Sequence, residues 1–156
     1  MRLTTKGRYA VTAMLDIAMN ASAAPVSVQD IAARQGISSA YLEQLIGKLK
    51  REGLLVSLRG PGGGYILGAE AAEVTVSGIV AAIGEGVDAT KCGGASNCQD
   101  GHMCLTHNLW VDLSAKIDDF LRSITLADLM TQMAAREDGC APNTAGEDQI
   151  AATILN

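Results

Sequence analysis

Aromatic residues are scarce in this chain of 156 residues, at 3% of the total: one Trp, one Phe and three Tyr. Sheet sandwiches rely on aromatic and β-branched side chains, so this scarcity argues against a protein built mainly of sheet. Hydrophobic residues nevertheless make up 48% of the chain. Leu, Ile, Val, Met and Ala must therefore fill the interior, which favours packed helices.

Long apolar runs are also lacking. No stretch approaches the roughly 20 apolar residues that span a bilayer. The opening MRLTTKGRYAVTAMLDIAM has apolar residues at helical spacing and no uninterrupted apolar segment typical of an export signal. We therefore expect a cytoplasmic protein that has no contact with a membrane and keeps its thiols reduced. Clustered cysteines in such a protein are more often metal ligands or redox groups than disulfides.

Negative charge dominates the sum, at −5, but not the whole chain. Residues 1–60 contain eight Lys and Arg against four Asp and Glu, a net +4, so the remaining 96 residues carry −9. A basic first part and an acidic second part indicate two different tasks. The basic part is compatible with binding to nucleic acid.

The basic part has the pattern of a helix-turn-helix. Thr4 or Thr5 can cap a first helix, and Ser27 with Asp30 resembles a capping box that opens a short second helix, QDIAARQ. Gly36 supplies a left-handed turn residue before a third helix, SAYLEQLIGKLKREG. The apolar residues of the third helix face the core, and its polar and basic residues remain on the free side. The core-facing residues are Leu42, Leu45, Ile46 and Leu49.

The stretch LLVSLRGPGGGYILG, residues 54–68, predicts a β-hairpin with a permissive glycine-rich tip. In it Leu54, Val56 and Leu58 alternate with their neighbours. An ordinary hairpin turn would explain the glycines alone. A hairpin directly after a helix-turn-helix is a wing, however, and Arg59 at its shoulder is placed to enter a narrow minor groove. The fold expected is mainly α, with a winged helix-turn-helix DNA-binding domain.

The second part begins with a linking helix over 74–84, capped by Thr75 or Ser77. A long helix follows the ligand loop described below, with an apolar stripe that suits either a dimer seam or packing within the chain. Its members are Leu105, Leu109, Leu113, Ile117, Phe120, Leu121 and Ile124. Thr125 can cap a last helix, LADLMTQMAAR.

These patterns divide the chain into three segments. We expect the winged helix-turn-helix in 1–73, and the linking helix, the ligand loop (86–107) and the dimerisation helices in 74–136. Residues 137–156 are small, acidic and unpatterned, which predicts a disordered tail. Cys140 in this tail has no assigned role.

The segment KCGGASNCQDGHMCLTH holds three of the four cysteines and both histidines. Cys92, Cys98, Cys104 and His107 form a complete four-ligand set for zinc or for an iron–sulfur cluster. Structural zinc commonly uses two to four residues between paired cysteines. Five residues separate Cys92 from Cys98, and five separate Cys98 from Cys104. The wider spacing favours a two-iron cluster and leaves zinc open.

The position of His107 at the start of the long helix favours an anionic group there. A neutral imidazole in place of one thiolate makes such a site labile, as a sensor requires. His102 is a reserve ligand, although a lone histidine in a polar loop is usually exposed.

Four segments together resemble the IscR family of bacterial iron–sulfur cluster regulators of transcription: MRLTTKGRYAVTAMLDIA, QGISSAYLEQL, VSLRGPGGGYILG and CLTHNLW. The resemblance spans roughly residues 1–130. It implies a homodimeric winged-helix repressor and activator that binds a [2Fe–2S] cluster through the four residues named above. It also implies that the cluster-loaded form represses the genes for iron–sulfur assembly, whereas the cluster-free form binds a second class of promoter.

The resemblance further implies which residues contact double-stranded promoter DNA. They lie at the start of the third helix and in the wing: Ser38, Ser39, Ala40, Tyr41, Glu43, Gln44, Lys48, Arg59, Gly60 and Gly62. Ala40 departs from the family pattern, which has a hydroxyl residue there, and Ser39 can substitute for it. Glu43 suits a filter between site classes, because a carboxylate in the groove costs affinity unless it accepts from a cytosine amino group.

We therefore interpret the chain as a transcription regulator that reports iron–sulfur status and receives its cluster from the iron–sulfur assembly machinery. The alternatives are a zinc-stapled DNA-binding regulator and a small iron–sulfur electron carrier. An electron carrier would leave the wing unexplained. No nucleophile–base pair or phosphate-binding motif indicates an enzyme.

Overall fold

The computed structural model describes residues 4–138, which form six helices and one two-stranded sheet. In chain order these are α1 (Thr5–Asn20), α2 (Val28–Gln35), α3 (Ser39–Arg51), β1 (Leu55–Leu58), β2 (Gly64–Leu67), α4 (Val76–Ala82), α5 (His107–Ser123) and α6 (Leu126–Asp138). The predominance of helix confirms the expectation drawn from the scarcity of aromatic residues.

The helix-turn-helix forms as its capping residues predict. Thr4 caps α1, and Ser27 and Asp30 form a reciprocal capping box at the start of α2. Gly36 ends α2 in the left-handed conformation, with a φ of 65°. Ser38 then caps α3 by accepting a hydrogen bond from the backbone N–H of Tyr41.

The β-hairpin is an antiparallel pair in which Leu55 opposes Leu67 and Leu58 opposes Gly64. The free edge of β2 is tied to the rest of the fold, because Val26 and Tyr65 exchange backbone hydrogen bonds of 3.0 and 2.8 Å. Leu55 is buried, whereas Val56 and Leu58 are 44% and 43% exposed. Of the alternating residues noted in the sequence, Val56 and Leu58 thus face solvent and Leu54 is half-buried against the core, into which the intervening Leu55 packs.

A single hydrophobic core joins the winged helix to the elements that follow it. It contains the apolar face of α1, all four predicted residues of α3, and the side chains of Val74, Ile79, Ile83 and Leu126. The core therefore continues across residue 73, where the sequence suggested a domain boundary.

The second part is built on α4, α5 and α6. An antiparallel bridge pairs Thr75 with Thr125, and the N–H of Leu126 donates to the carbonyl of Val74 at 2.9 Å. Thr75 caps α4 as predicted. Thr125 and Asp128 form reciprocal hydrogen bonds at the start of α6, which confirms Thr125 as its cap.

The apolar stripe of α5 is partly covered on one side and exposed on the other. Ile117 and Leu121 are half-buried on the same side as Asp118, whose carboxylate accepts a 2.6 Å hydrogen bond from Ser77 of α4. Leu109, Leu113 and Phe120 remain 59%, 38% and 63% exposed. The 17-residue helix, about 25 Å long, therefore presents an apolar face to solvent.

Helix α6 reaches Asp138, two residues into the segment expected as a disordered tail. The rest of that expectation, together with Cys140, lies outside the described residues. Over residues 4–138, every helix is too short or too polar to cross a bilayer.

Candidate metal centre and nucleic-acid interface

The exposed side of α3 and the tip of the hairpin form the candidate nucleic-acid interface. Glu43 and Gln44 are exposed on α3, as are Ser38 and Ala40 at its start. Ser39 is half-buried. A helix that offers its N-terminal polar residues to solvent in this way has the form required to enter a major groove.

Two of the expected DNA-contacting residues are engaged within the protein. The ring of Tyr41 packs edge-on against that of Tyr9, with centroids 5.9 Å apart. The ammonium group of Lys48 donates to the carbonyl oxygen of Ile83 at 3.1 Å. In the free protein both residues therefore hold α3 to its neighbours.

The wing tip is shaped by glycine. Gly60 and Gly62 have φ values of 111° and 73°, which only glycine adopts at low cost. The N–H of Gly63 closes the turn on the carbonyl of Gly60 at 2.9 Å. Arg59 is exposed beside this turn. A guanidinium group is thus displayed next to a turn in which Pro61 is the one residue with a side chain, so the backbone can approach a phosphate or groove wall closely.

A polar network that the sequence analysis did not identify fixes α1 against α2. The carboxylate of Asp16, almost fully buried, accepts from Arg34 at 2.6 and 3.0 Å and from Gln35 at 2.7 Å. Asp16 raises the pKa of Arg34 through these hydrogen bonds. The network therefore holds the two helices that support the recognition helix α3.

Three of the four predicted ligands converge in the loop between α4 and α5. The donor atoms of Cys92, Cys98 and His107 all lie within 4.8 Å of one another. Cys104 is not part of this group. Its backbone N–H instead donates to the sulfur of Cys98 at 3.2 Å, and both residues line a cavity of about 370 Å³ that also borders His107. His102 is exposed and outside the donor group.

The surroundings of Cys92 favour its thiolate form. Burial acts to raise the pKa of this thiol, but the N–H groups of Ser96 and Gly94, together with the side chains of Cys98 and Thr90, lower it to about 7. Gly93 and Gly94 take left-handed conformations that turn the chain around the sulfur. The loop therefore stabilises a thiolate, the form in which cysteine binds metals.

Cys98 and Cys104 influence each other. The N–H of Cys104 acts to lower the pKa of Cys98, but the side chain of Cys104, burial and the side chain of Cys92 raise it overall. The pKa of Cys104 is lowered, chiefly by its contact with Cys98. A thiolate at Cys104 is thus stabilised at the expense of one at Cys98.

His107 is the first residue of α5 and is only 5% exposed. Its Nδ1 lies 3.5 Å from the sulfur of Cys92 and 3.6 Å from that of Cys98. Its Nε2 lies 3.2 Å from the hydroxyl oxygen of Ser96. The imidazole therefore directs one nitrogen at the sulfurs and the other at a serine.

The start of the ligand loop is fastened to the winged helix. The ammonium groups of Lys6 on α1 and Lys48 on α3 both donate to the carbonyl of Ile83, at 2.8 and 3.1 Å. Because the two cations share one oxygen, Lys6 lowers the pKa of Lys48. The hydroxyl of Thr4 also donates to the carboxylate of Glu85. Helices α1 and α3 thus hold the residues that lead into the loop.

The fold and the exposed recognition helix define a winged-helix DNA-binding regulator of transcription rather than an enzyme. The profile of the Rrf2 family, described as iron-dependent transcriptional regulators, matches residues 3–132. The chain belongs to this family.

Relatives of known name include the HTH-type transcriptional regulator IscR of Vibrio atlanticus. It is 59% identical over 130 residues, which cover 83% of this chain and 75% of the relative. The protein of the same name from Serratia proteamaculans is 57% identical over 130 residues, covering 83% of this chain and 79% of its own length. This similarity agrees with the resemblance drawn from the four sequence segments.

Solved structures agree on the fold. IscR of T. potens superimposes with a TM-score of 0.73 at 38% identity, covering 90% of this chain and 93% of its own. CymR, the global cysteine regulator of B. subtilis, gives a TM-score of 0.74 at 30% identity, covering 85% and 98%. The winged-helix architecture predicted from the sequence is therefore confirmed.

Proposed function

We propose that this chain is an iron–sulfur-sensing transcription regulator that controls genes for iron–sulfur cluster assembly. The observation on which this rests is the convergence of Cys92, Cys98 and His107 beside the first turn of α5, in a member of a family of iron-dependent regulators. Cys104, adjacent in the same cavity, completes the ligand set.

The residues present fit a [2Fe–2S] cluster. Soft sulfur donors and one imidazole are the ligand types that such clusters use. The N–H group of Cys104, which donates to the sulfur of Cys98 at 3.2 Å, supplies a hydrogen bond to sulfur of the kind that tunes cluster potentials. A bound cluster would supply a charge and an occupancy that respond to iron supply and to oxidants.

Zinc is the second candidate occupant, and a specific distance supports it. Zinc ligand lengths of about 2.3 Å to sulfur and 2.0–2.1 Å to nitrogen place S and N about 3.6 Å apart in a tetrahedral site. The two separations from Nδ1 of His107, 3.5 and 3.6 Å, match that value. A zinc-stapled regulator would have the same fold but no sensing role.

DNA recognition is assigned to α3 in the major groove and to Arg59 with the neighbouring glycines in the flanking minor groove. Ser38, Ser39, Ala40, Gln44 and Glu43 lie at or near the start of α3 and would face base edges or phosphates. Tyr41 and Lys48 reach DNA only after leaving their present partners, Tyr9 and Ile83. Glu43 would distinguish the two classes of promoter, because its carboxylate tolerates only a groove that offers a donor.

The protein would act as a homodimer through the exposed apolar face of α5. Leu109, Leu113 and Phe120 recur along one side of that helix and remain exposed in the single chain. Two copies joined there would place two recognition helices on successive major grooves, about 34–36 Å apart. An apolar face of this kind on a helix is costly in water unless a partner covers it.

Occupancy of the loop would be communicated to the winged helix through its anchor points. Lys6, Lys48 and Thr4 hold Ile83 and Glu85, and the loop proper begins directly after them. A loop that closes around a bound cluster would shift the start of α5 relative to these anchors. In this scheme the loaded form represses the assembly genes and the apo form binds a second set of promoters.

The remaining assignments follow from this function. The iron–sulfur assembly machinery would donate the cluster, and the protein would be cytoplasmic. Residues 1–73 would read DNA, residues 74–136 would hold the cluster and the dimer contact, and residues 137–156 would form a disordered tail.

The test is an absorption spectrum of anaerobically purified protein, followed by gel shifts of loaded and apo forms on two classes of promoter. A red-brown protein whose loaded and apo forms differ in promoter affinity would support the proposal. A colourless protein that contains one zinc per chain would favour the zinc-stapled alternative. Equal affinity of both forms for every promoter would exclude sensing.

Glu43→Ala provides a separate test of the filter. The variant should bind a broader set of promoters, because it no longer places a carboxylate against unsuitable base edges. Gel shifts on matched promoter pairs measure this directly. Unchanged selectivity would remove Glu43 from the recognition scheme while leaving the cluster assignment intact.

A further inference from the structure

Ser96 is an outlier in the ligand loop. Its backbone has a φ of 59°, and within residues 4–138 only one other non-glycine residue, Asp100, has a positive φ. The left-handed turns at Gly93, Gly94 and Gly101 in the same loop use glycine, which adopts them without steric cost. A side chain kept where glycine would be easier indicates that the side chain itself has a role.

The contact that this side chain makes is with a candidate ligand. The hydroxyl oxygen of Ser96 lies 3.2 Å from Nε2 of His107. His107 is 5% exposed, so this hydroxyl replaces the water that would otherwise bind Nε2. The other ring nitrogen, Nδ1, is the one that faces the sulfurs of Cys92 and Cys98.

A neutral imidazole has one protonated nitrogen and one with a free lone pair, and only the second can bind a metal. In a ligand role it is Nδ1 that must carry the lone pair, because Nδ1 is the nitrogen that faces the sulfurs of Cys92 and Cys98. The proton therefore belongs on Nε2, where it is donated to Ser96. The lone pair then lies on Nδ1, directed at the other ligands.

We infer that Ser96 is a positioning residue that holds His107 in the Nε2-protonated tautomer and so presents Nδ1 to the metal. This inference rests on the proposed function, because it assumes that His107 is a ligand. Partners of metal-binding histidines are usually carboxylates, backbone carbonyls or water. A hydroxyl is a weaker acceptor than a carboxylate, so it fixes the ring without making His107 a strongly held ligand.

The first measurement is the tautomer of His107 by long-range ¹H–¹⁵N NMR on the full, metal-free, reduced chain. The chain has two histidines, so the exposed His102 serves as an internal reference in the same spectrum. We expect the wild type to be protonated at Nε2. Ser96→Ala should give a mixture of both tautomers. Ser96→Asn, which tolerates positive φ and offers a carbonyl acceptor, should restore the wild-type state.

The second measurement is anaerobic titration with Co²⁺ alone, followed by its thiolate absorption. Loss of a hydrogen-bonding partner of this kind lowers metal affinity about 10–100-fold. Ser96→Ala should weaken Co²⁺ binding by at least about tenfold, and Ser96→Asn should remain near the wild type. Ser96→Gly relieves the backbone strain but also lacks the hydroxyl, so it should weaken binding as Ser96→Ala does.

Three results would overturn the inference. They are a wild-type His107 protonated at Nδ1, a Ser96→Ala variant with unchanged tautomer and Co²⁺ affinity, and a Ser96→Gly variant that binds Co²⁺ as tightly as the wild type while Ser96→Ala does not. His107→Ala separates this failure from that of the proposed function. If His107→Ala leaves Co²⁺ affinity unchanged, the ligand set itself is wrong.

Discussion

The ion pair between Asp16 and Arg34 offers a direct test of how the helix-turn-helix is held together. The Asp16 side chain is 1% exposed and that of Arg34 is 40% exposed, with a nitrogen–oxygen distance of 2.6 Å. Replacing Arg34 by Ala leaves a buried carboxylate with Gln35 as its only side-chain donor. Replacing Asp16 by Ala leaves Arg34 free to turn into water. Arg34→Ala should therefore lower the free energy of unfolding more than Asp16→Ala does.

Breaking a fully buried pair costs about 3–5 kcal/mol when one charge is left behind. Because Arg34 is partly solvated, we expect a smaller loss for Arg34→Ala, about 2–3 kcal/mol. Asp16→Ala should cost about 1–2 kcal/mol, the range for lost hydrogen bonds without a stranded charge. For a chain of this size, Arg34→Ala should lower Tm by about 5–10 °C.

The chain contains a matched control. Arg122 and Asp118 form an ion pair with the same 2.6 Å distance on the surface of α5, at 69% and 36% exposure. Arg122→Ala should cost less than about 0.5 kcal/mol, because exposed pairs contribute little. Urea denaturation followed by circular dichroism gives all three free energies of unfolding, provided that the slope with denaturant is unchanged.

The reasoning would be refuted if Arg34→Ala lowered the free energy of unfolding no more than Arg122→Ala does. It would also be refuted if Asp16→Ala lowered it more than Arg34→Ala does. The double variant Asp16→Ala/Arg34→Ala adds a further check. It should be little worse than Arg34→Ala alone, because the stranded charge is then absent. Strict additivity would mean that the two side chains do not interact in solution.

Three other measurements follow from the structure. In the metal-free protein, Cys92 should be alkylated by iodoacetamide before Cys98, with a half-maximal rate near pH 7. The reason is that the thiol, which predominates below that pH, is unreactive, whereas the thiolate above it reacts. Equal rates at both cysteines would contradict the lowered pKa of Cys92. Phe120→Asp should convert the proposed dimer to a monomer in sedimentation velocity, because it places a charge on the apolar face of α5. An unchanged sedimentation coefficient would remove that face from the proposed dimer contact. Gly68→Ala should lower the free energy of unfolding by about 1–3 kcal/mol, because its Cβ would lie 2.0 Å from the carbonyl oxygen of Gly53. Gly47→Ala has open space around it and should raise the free energy of unfolding by about 0.5–1 kcal/mol. Urea denaturation measures both, and an unchanged stability of Gly68→Ala would refute the clash.

Local patterns predicted the helices and the hairpin well, because their signals are local. The caps at Thr4, Ser27, Thr75 and Thr125 and the left-handed Gly36 are each determined by a few neighbouring residues. The spacing of cysteines likewise indicated the candidate ligand loop, in which the donor atoms of Cys92, Cys98 and His107 lie close together.

Contacts between distant residues were not predictable in the same way. Nothing in the sequence near Asp16 indicates Arg34 and Gln35 as partners, although a carboxylate on the apolar side of α1 is a signal that some partner must exist. Ser96 has no local signal at all, because its importance depends on a backbone conformation and on a ring nitrogen eleven residues away. The shared carbonyl of Ile83 depends on the packing of three helices.

The continuity of the hydrophobic core has a consequence for how this protein could have evolved. Val74, Ile79, Ile83 and Leu126 fill the space against α1 and α3. A fragment that ends at residue 73 would expose the apolar surface those residues cover, so the DNA-reading part is not an exchangeable cassette. The candidate ligand set can instead be altered by changing only residues 86–107, while the core residues stay the same.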